Sequence, residues 1–282
     1  MTKSFQKTAS NLIEMQLPHP GIIYSAGFNE QFELHCYEPP ADLRPFVAHI
    51  WTQRHKPAHV RPQVPMREIP SGSNVYLFFT PTSAFIHPVG ASSFDYDPFA
   101  CDVLAGVKFK PGGFYAFSRR PVSQYTDPVP AATIFTRANA TFSKQLLIQP
   151  DAAIVSDIEA LLRDTHPQND KNISLIAEIT HLLTTDNSLQ TVDAICQAFH
   201  MRERSLQLLF QTYVGVGPKW IITRRRLLRA LSYAQSRPRL TWTNIAAELG
   251  YSSLSHLSRD LKKITGINPS QYTKYLKRTI DS

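Results

Sequence analysis

The stretch LSHLSRDLKK at residues 254–263 carries Ser255, Ser258, Arg259, Lys262 and Lys263, none of which its packing requires. Leu257, Leu261 and Ile264 recur at helical spacing and form an apolar stripe suited to Ile245, Ala246 and Leu249 of the preceding segment. Leu254, Ser255, Ser258 and Arg259 fall on the other faces, most of them toward the helix N-terminus. A guanidinium placed there can donate two hydrogen bonds to guanine O6 and N7. Serine hydroxyls can bond bases or phosphates, and leucine can touch a thymine methyl. Lys262 and Lys263 suit phosphate oxygens, which add affinity with little sequence information. For any one serine a solvated helix face explains as much, so the weight rests on what surrounds it.

An earlier stretch offers similar side chains: Arg202, Glu203, Arg204, Gln207 and Leu208. Glu203 could accept from cytosine N4, or merely favour a helix N-terminus; Gln207 could pair with adenine. The two stretches belong to an internal repeat. TVDAICQAFHMRERSLQLLFQTYVGVGP (191–218) recurs as TWTNIAAELGYSSLSHLSRDLKKITGINP (241–269). Thr191, Ile195 and Met201 match Thr241, Ile245 and Tyr251, while Leu206, Phe210, Gly215 and Pro218 match Leu257, Leu261, Gly266 and Pro269. The second copy has one extra residue, in its turn, where insertions are tolerated best. Each copy reads as helix, tight turn, helix: a helix-turn-helix present twice, about 191–214 and about 242–265. Between them PKWIITRRRLLRALSYAQSR predicts a connecting helix over 218–236, with Pro218 suited to its first position and Pro238 ending it. At ~1.5 Å per residue it spans about 28 Å, near the ~34 Å between successive major-groove exposures on one DNA face. Lys219 and Arg225 are candidates for the DNA backbone beside Arg202, Lys262 and Lys263. Arg224, Arg225, Arg226 and Arg229 cannot all face one way, and Arg226 is expected in an internal salt bridge.

Charge follows the same division. Residues 171–282 hold 16 Lys and Arg against 7 Asp and Glu, whereas residues 1–170 hold 14 against 15, in a chain of 282 with formal net charge +8. A basic region joined to a neutral one points to a polyanionic partner for the basic part. FELHCYEP, FVAHIWTQ, VYLFFTP, AFIHPVG and VLAGVKFKPGGF, between Pro, Gly and Ser, predict short strands and favour a small barrel or sandwich. Ile154, Ile158, Leu161 and Leu162 predict an amphipathic helix over 151–163, and DTHPQNDKN (164–172) a polar linker. Cys36, Cys101 and Cys196 are too few and too scattered for a disulfide framework or a zinc site, so buried free thiols in a reducing cytosol are expected. The N-terminal stretch lacks the apolar run of a signal peptide, and no segment approaches a membrane span.

These residues resemble the AraC/XylS family of bacterial transcription regulators. Its second-motif pattern is matched by Ile245-Ala246, Gly250-Tyr251, Ser255, Leu257, Arg259, Leu261-Lys262, Gly266 and Pro269; the first motif is looser, with Leu206, Phe210, Gly215, Pro218, Arg226-Leu227 and Ala230. The resemblance covers roughly 173–278. It implies a seven-helix DNA-binding domain (173–282), with base contacts from Glu203, Arg204, Gln207 and Leu208 and from Leu254, Ser255, Ser258 and Arg259. Leu208 departs from the pattern, which commonly has arginine there, and leucine cannot grip guanine. YEPPADLRPFVAHIWTQ, PSGSNVYLFF and GVKFKPGGFYAF resemble one group of the family's N-terminal domains. That implies a sensing and dimerisation domain over 1–165, with helix 151–163 at the dimer contact. The expected fold class is α+β: a mainly-β, barrel-like (cupin-like) domain followed by an all-α domain with two helix-turn-helix motifs. Trp51, Tyr76, Phe78, Phe109 and Phe114 are the aromatics expected near a ligand pocket, each of which could equally be core.

The implied function is a sequence-specific transcription regulator, an activator, responsive to a small effector. Its expected partners are operator DNA, RNA polymerase and a second copy of the chain, in the bacterial cytoplasm and on the nucleoid when bound. The alternative is an N-terminal barrel enzyme tethered to DNA by its C-terminal domain. His35, His49, His55, His59 and His87 lack the spacing of a metal-binding barrel, and Pro57 breaks the helix that would align His55 with His59. No phosphate-binding loop, dinucleotide fingerprint or nucleophile elbow is present. Neither a cofactor, a metal nor catalysis is expected.

Overall fold

A computed structural model of the chain describes residues 32–56, 74–90, 101–186, 189–237 and 239–280. The described part of the N-terminal region holds an antiparallel sheet of β1 (Phe32–Tyr37), β2 (Val47–His55), β3 (Tyr76–Thr80), β4 (Ser83–His87), β5 (Val103–Phe109) and β6 (Val129–Pro130). The strand order is β1-β2-β5-β3-β4-β6. Among the described residues the edge strands β1 and β6 do not pair, so the sheet is barrel-like without closing there.

Side chains alternate across the sheet, which gives it two unlike faces. On one, Ile50 and Thr52 of β2 lie opposite Val107 and Ala105 of β5, which lie in turn opposite Leu77 and Phe79 of β3. Helices α1 (Tyr115–Ser118), α2 (Ala140–Leu147) and α3 (Asp151–Arg163) follow in the chain. Leu146 and Leu147 of α2 and Ile154, Ile158, Leu161 and Leu162 of α3 join the apolar residues of that face in the main core. Apolar residues at i, i+4, i+7 and i+8 give α3 the stripe this packing needs. The opposite face carries a smaller cluster of Trp51, Phe78 and Leu104, with Leu34, Tyr76 and Phe85 against it. Gly106 is what lets Trp51 lie flat there: a Cβ on it would sit 2.5 Å from both the Leu77 carbonyl oxygen and the indole ring.

Asp151, the first residue of α3, fastens that helix to the sheet. Tyr37 and Thr52 donate hydroxyl hydrogen bonds to its carboxylate at 2.9 and 2.7 Å, Arg54 Nε donates at 2.8 Å, and His35 Nδ1 lies 3.0 Å away. Burial alone would raise its pKa, but the hydrogen bonds from Thr52, His35, Arg54 and Tyr37 together hold it well below the carboxylate range.

Among the described residues seven helices follow: α4 (Lys171–Thr185), α5 (Val192–Ala198), α6 (Glu203–Tyr213), α7 (Pro218–Ser236), α8 (Trp242–Glu248), α9 (Leu254–Thr265) and α10 (Pro269–Ile280). The main core does not stop at the polar stretch before them. It continues through Ile173, Ile176 and Ile179 of α4, Leu206 and Phe210 of α6, and Ile221 and Ile222 of α7. Val122 meets Gly215, whose φ of +99° suits glycine and whose Cβ, if present, would lie 3.0 Å from the Val122 side chain. The Tyr213 and Tyr115 rings are 4.3 Å apart, and the Tyr213 hydroxyl donates to Asp170, the N-cap of α4. The thiols depart from expectation, since Cys36 is exposed on edge strand β1 and Cys101 and Cys196 are half-buried. No helix among the described residues is long and apolar enough to cross a membrane.

The sign of the Asp151 effect is fixed by its depressed pKa. Its stabilisation is complete above the unfolded carboxylate value near pH 4 and fades as pH falls through the lower folded value. Replacing Asp151 by Asn is expected to cost about 2 kcal/mol at pH 7, with the difference from wild type shrinking between about pH 4 and pH 2. Urea unfolding across that range checks both.

Candidate nucleic-acid interface

The two repeat copies fold by the same local rules. Thr191 caps α5 by accepting the Ala194 amide, and Thr241 caps α8 by accepting the Asn244 amide. The reversal after each first helix uses a left-handed residue, His200 (φ 49°) in one copy and Gly250 (φ 70°) in the other. Beyond it the Met201 and Tyr251 amides donate to the Cys196 and Ala246 carbonyls, both at 2.9 Å. Leu206 and Phe210 of α6 are fully buried, as are their counterparts Leu257 and Leu261 of α9. Ser253 caps α9 by accepting the His256 amide, whereas Arg202 at the same place before α6 makes no side-chain cap.

Burying those stripes turns the remaining side chains outward. Arg202, Glu203, Arg204, Gln207 and Leu208 are exposed on α6, and Leu254, Ser255, Arg259, Lys262 and Lys263 on α9, with Ser258 half-buried. The Gln207 side chain reaches toward the start of α7, where a Cβ on Gly217 would lie 2.6 Å from its Nε2. Lys219 is exposed in the first turn of α7 and Arg225 half-buried behind it, its pKa lowered by burial and then by Arg229. His256 belongs to the same surface and was not singled out from the sequence. It lies three residues before Arg259, 3.2 Å from Ser252 Oγ and edge-on to the Tyr251 ring. The i, i+3 spacing to Arg259 was the available signal.

The connecting helix uses its arginines differently from expectation. Among the described residues no carboxylate pairs with Arg226 as anticipated; its guanidinium lies over the Tyr251 ring, 5.2 Å from the centroid. At that point α7 faces the turn of the second helix-turn-helix, which offers an aromatic face instead of a carboxylate. Burial, with Asp260 adding and Arg226 opposing, pushes the Tyr251 hydroxyl up to about 12. One helical turn on, the Arg229 guanidinium donates to the Tyr233 hydroxyl at 3.2 Å. Arg237 covers the Tyr233 ring at 4.2 Å and pairs with Glu248 of α8 at 3.0 Å. Arg224 is buried, its guanidinium 5.6 Å from the Trp220 ring, with its pKa lowered by burial and opposed by the nearby Tyr76.

The five aromatics expected near a pocket do not all converge. Trp51, Tyr76 and Phe78 meet on one sheet face, where Phe78 stacks on Phe85 at 5.3 Å. Phe109 and Phe114 pack on each other in the main core with Phe117 and Phe135. Among the described residues no three His, Cys, Asp or Glu side chains gather as a metal site would require; His59 lies outside the described residues.

Residues 195–275 match the family model of a helix-turn-helix domain. Residues 35–130 match that of a domain of unknown function, DUF6597. No curated protein matches the chain. Similar solved structures include ToxT from Vibrio cholerae in three forms. An apo variant is 15% identical, with 87% of this chain and 94% of that chain covered at a TM-score of 0.38. A form bound to (E)-4-(8-methylnaphthalen-1-yl)but-3-enoic acid is 11% identical, with 87% and 99% covered at 0.38. A form bound to an unsaturated fatty acid is 11% identical, with 88% and 93% covered at 0.37.

Arg226 is a contact between the connecting helix and the second helix-turn-helix, whose buried residues form clusters separate from that of the sheet among the described residues. Arg226→Met, which keeps an apolar stem and removes the charge, is expected to cost about 1 kcal/mol. Amide hydrogen exchange is expected to accelerate about fivefold in α8 and α9 while the sheet amides keep wild-type rates.

Proposed function

We propose, from an AraC-type helix-turn-helix domain at the C-terminus, that the protein is a sequence-specific DNA-binding transcription regulator and not an enzyme. The observation that carries the reading is the outward pair of polar faces on α6 and α9, joined by the 19-residue helix α7. At ~1.5 Å per residue that helix is about 28 Å long, close to the ~34 Å repeat of the major groove. One chain thus holds two reading helices for adjacent groove segments. Glu203, Arg204, Gln207 and Leu208, and Leu254, Ser255, Ser258 and Arg259, supply the base-edge contacts; Arg202, Lys219, Arg225, Lys262 and Lys263 supply phosphate contacts. Arg259 is exposed and grips guanine through its guanidinium fork.

The N-terminal residues 1–165 form the sensing and dimerisation domain in this reading, with residues 173–282 as the DNA-binding domain. The effector site is the aromatic face of the sheet around Trp51, Tyr76 and Phe78. The outer face of α3 serves the homodimer contact, and an effector alters how the domains pair or engage operator DNA and RNA polymerase. Its leverage equals the difference in its affinity for the two states. The protein acts as an activator in the bacterial cytoplasm.

Selection of bound sequences from a random duplex library at near-physiological salt tests the reading. Wild type is expected to enrich a motif, and Arg259→Ala to lose preference at one guanine, a change of about 10- to 100-fold in discrimination there. Salt-dependent binding by both proteins without any enriched motif would reduce the two faces to a phosphate grip and sink the proposal.

A further inference from the structure

The two reading helices carry exchanged chemistry at matching positions. We infer that the first reads the C5-methyl group of a pyrimidine through Leu208, while the second reads guanine through Arg259. The inference rests on the DNA-binding reading above. Buried Leu206 and Phe210 fall on buried Leu257 and Leu261, so the same superposition places Leu208 on Arg259 and Glu203 on Leu254. Each helix therefore has one leucine and one charged side chain at these two places, in opposite order.

Exposure supports reading over packing. Leu208 is 64% exposed and Leu254 37%, and among the described residues the one other exposed large hydrophobic is Ile148. A single exposed leucine is unremarkable on a protein surface. Two of three falling on the exchanged positions of the two reading helices is a pattern. Arg204 stands one turn before Leu208 on the same face and both are exposed, so the leucine has a cation beside it, as a polyanionic partner requires. An apolar side chain has one partner on a major-groove base edge, the C5-methyl of thymine, which 5-methylcytosine also carries. Glu203, near the start of the same helix, complements it as an acceptor for an exocyclic amino group. Because the chemistry is exchanged, the two halves of the bound site differ, and a single chain binds DNA in one direction.

The test uses the full chain and the motif enriched by wild type. Each thymine is replaced singly by deoxyuridine, which removes the methyl alone. Wild type is expected to lose about fourfold in affinity at one thymine under α6, the worth of one buried methyl-sized group. Leu208→Ala is expected to be indifferent at that thymine while still responding to a thymine under Leu254. Cytosine and 5-methylcytosine at the same position separate the methyl from the rest of the base. Recovery with 5-methylcytosine, but not cytosine, shows that the methyl itself is read, and full affinity for thymine alone shows that thymine is the natural source. Leu208→Arg is expected to change preference there from thymine to guanine. An enriched motif that tolerates every deoxyuridine, or a Leu208→Ala protein as sensitive as wild type, overturns the inference and leaves the regulator reading standing. Failure to enrich any motif overturns both. Loss of self-association in Leu208→Ala with methyl sensitivity unchanged assigns the leucine to a protein contact and likewise overturns the inference.

Discussion

One apolar core runs from the sheet through α4 and α6 into the first half of α7, and the remaining architecture depends on that continuity. Ile50, Leu77 and Val107 of the sheet belong to the same packed body as Leu206, Phe210, Ile221 and Ile222. The second half of α7 packs elsewhere: Leu227 and Leu231 with Leu261 and Tyr272, and Ala230 with Ile245, Leu249 and Leu257. A single helix is thus shared between two bodies. Close-packed interiors transmit displacement with little slack, so the first helix-turn-helix moves with the sheet. The second is positioned by α7, by the Arg226–Tyr251 contact and by the Arg237–Glu248 pair. Helices α6 and α9 have the same internal build and different packing partners.

The repeat shows where chemistry is constrained and where it is free to differ. Positions that must fill space hold apolar residues in both copies: Ile195 and Ile245, Leu206 and Leu257, Phe210 and Leu261. Threonine caps both first helices. The left-handed turn position is looser, since histidine and glycine both reach positive φ there and a Cβ at Gly250 would meet nothing within 4 Å. Outward positions answer only to what they touch. Glu203 at the place of Leu254, and Leu208 at the place of Arg259, are tolerable to the fold because none of the four is buried.

Local signals made the elements readable, and non-local ones hid their arrangement. Pro, Gly and Ser clusters delimit five of the six strands, and the 151–163 stripe matches α3. The two-residue β6, ending in proline, carries no alternation to detect. Strand order was out of reach: β5 inserts between β2 and β3, a pairing across a long separation that no local pattern announces. The same gap divided the expected pocket, because which face an aromatic occupies depends on register. Trp51 and Phe78 both pair with Gly106, while Phe109, of the opposite parity on β5, turns to the helices. The polar stretch at 164–172 read as a polar linker, and Ile173, Ile176 and Ile179 immediately after it belong to the same apolar core as the sheet, a contact no local pattern announces. Arg226 was misjudged because sequence shows no acid or ring within reach, and Tyr251 becomes its neighbour only once α7 and the second turn cross.

The aromatic face of the sheet and the connecting helix α7 meet at Tyr76 and Arg224. Lys108 and Tyr76 are paired across β5 and β3, on the face that also holds Trp51 and Phe78. Tyr76 lies close enough to Arg224 to perturb it electrostatically, and Arg224 is buried at the middle of α7, beside Trp220 of the same helix. Tyr76 thus links the aromatic face of the sheet to the helix that joins the two helix-turn-helix motifs. Moving a buried guanidinium is expensive, because a charge separated from its partners in a low-dielectric interior pays its desolvation uncompensated. Such a group favours a few discrete placements over a continuum. The first helix-turn-helix is held to the N-terminal region by Tyr213 against Tyr115 of α1 and by Gly215 against Val122. Arg224 thus lies where α7 passes from the core it shares with the sheet, through Ile221 and Ile222, to the packing of Leu227 and Leu231 against Leu261 and Tyr272.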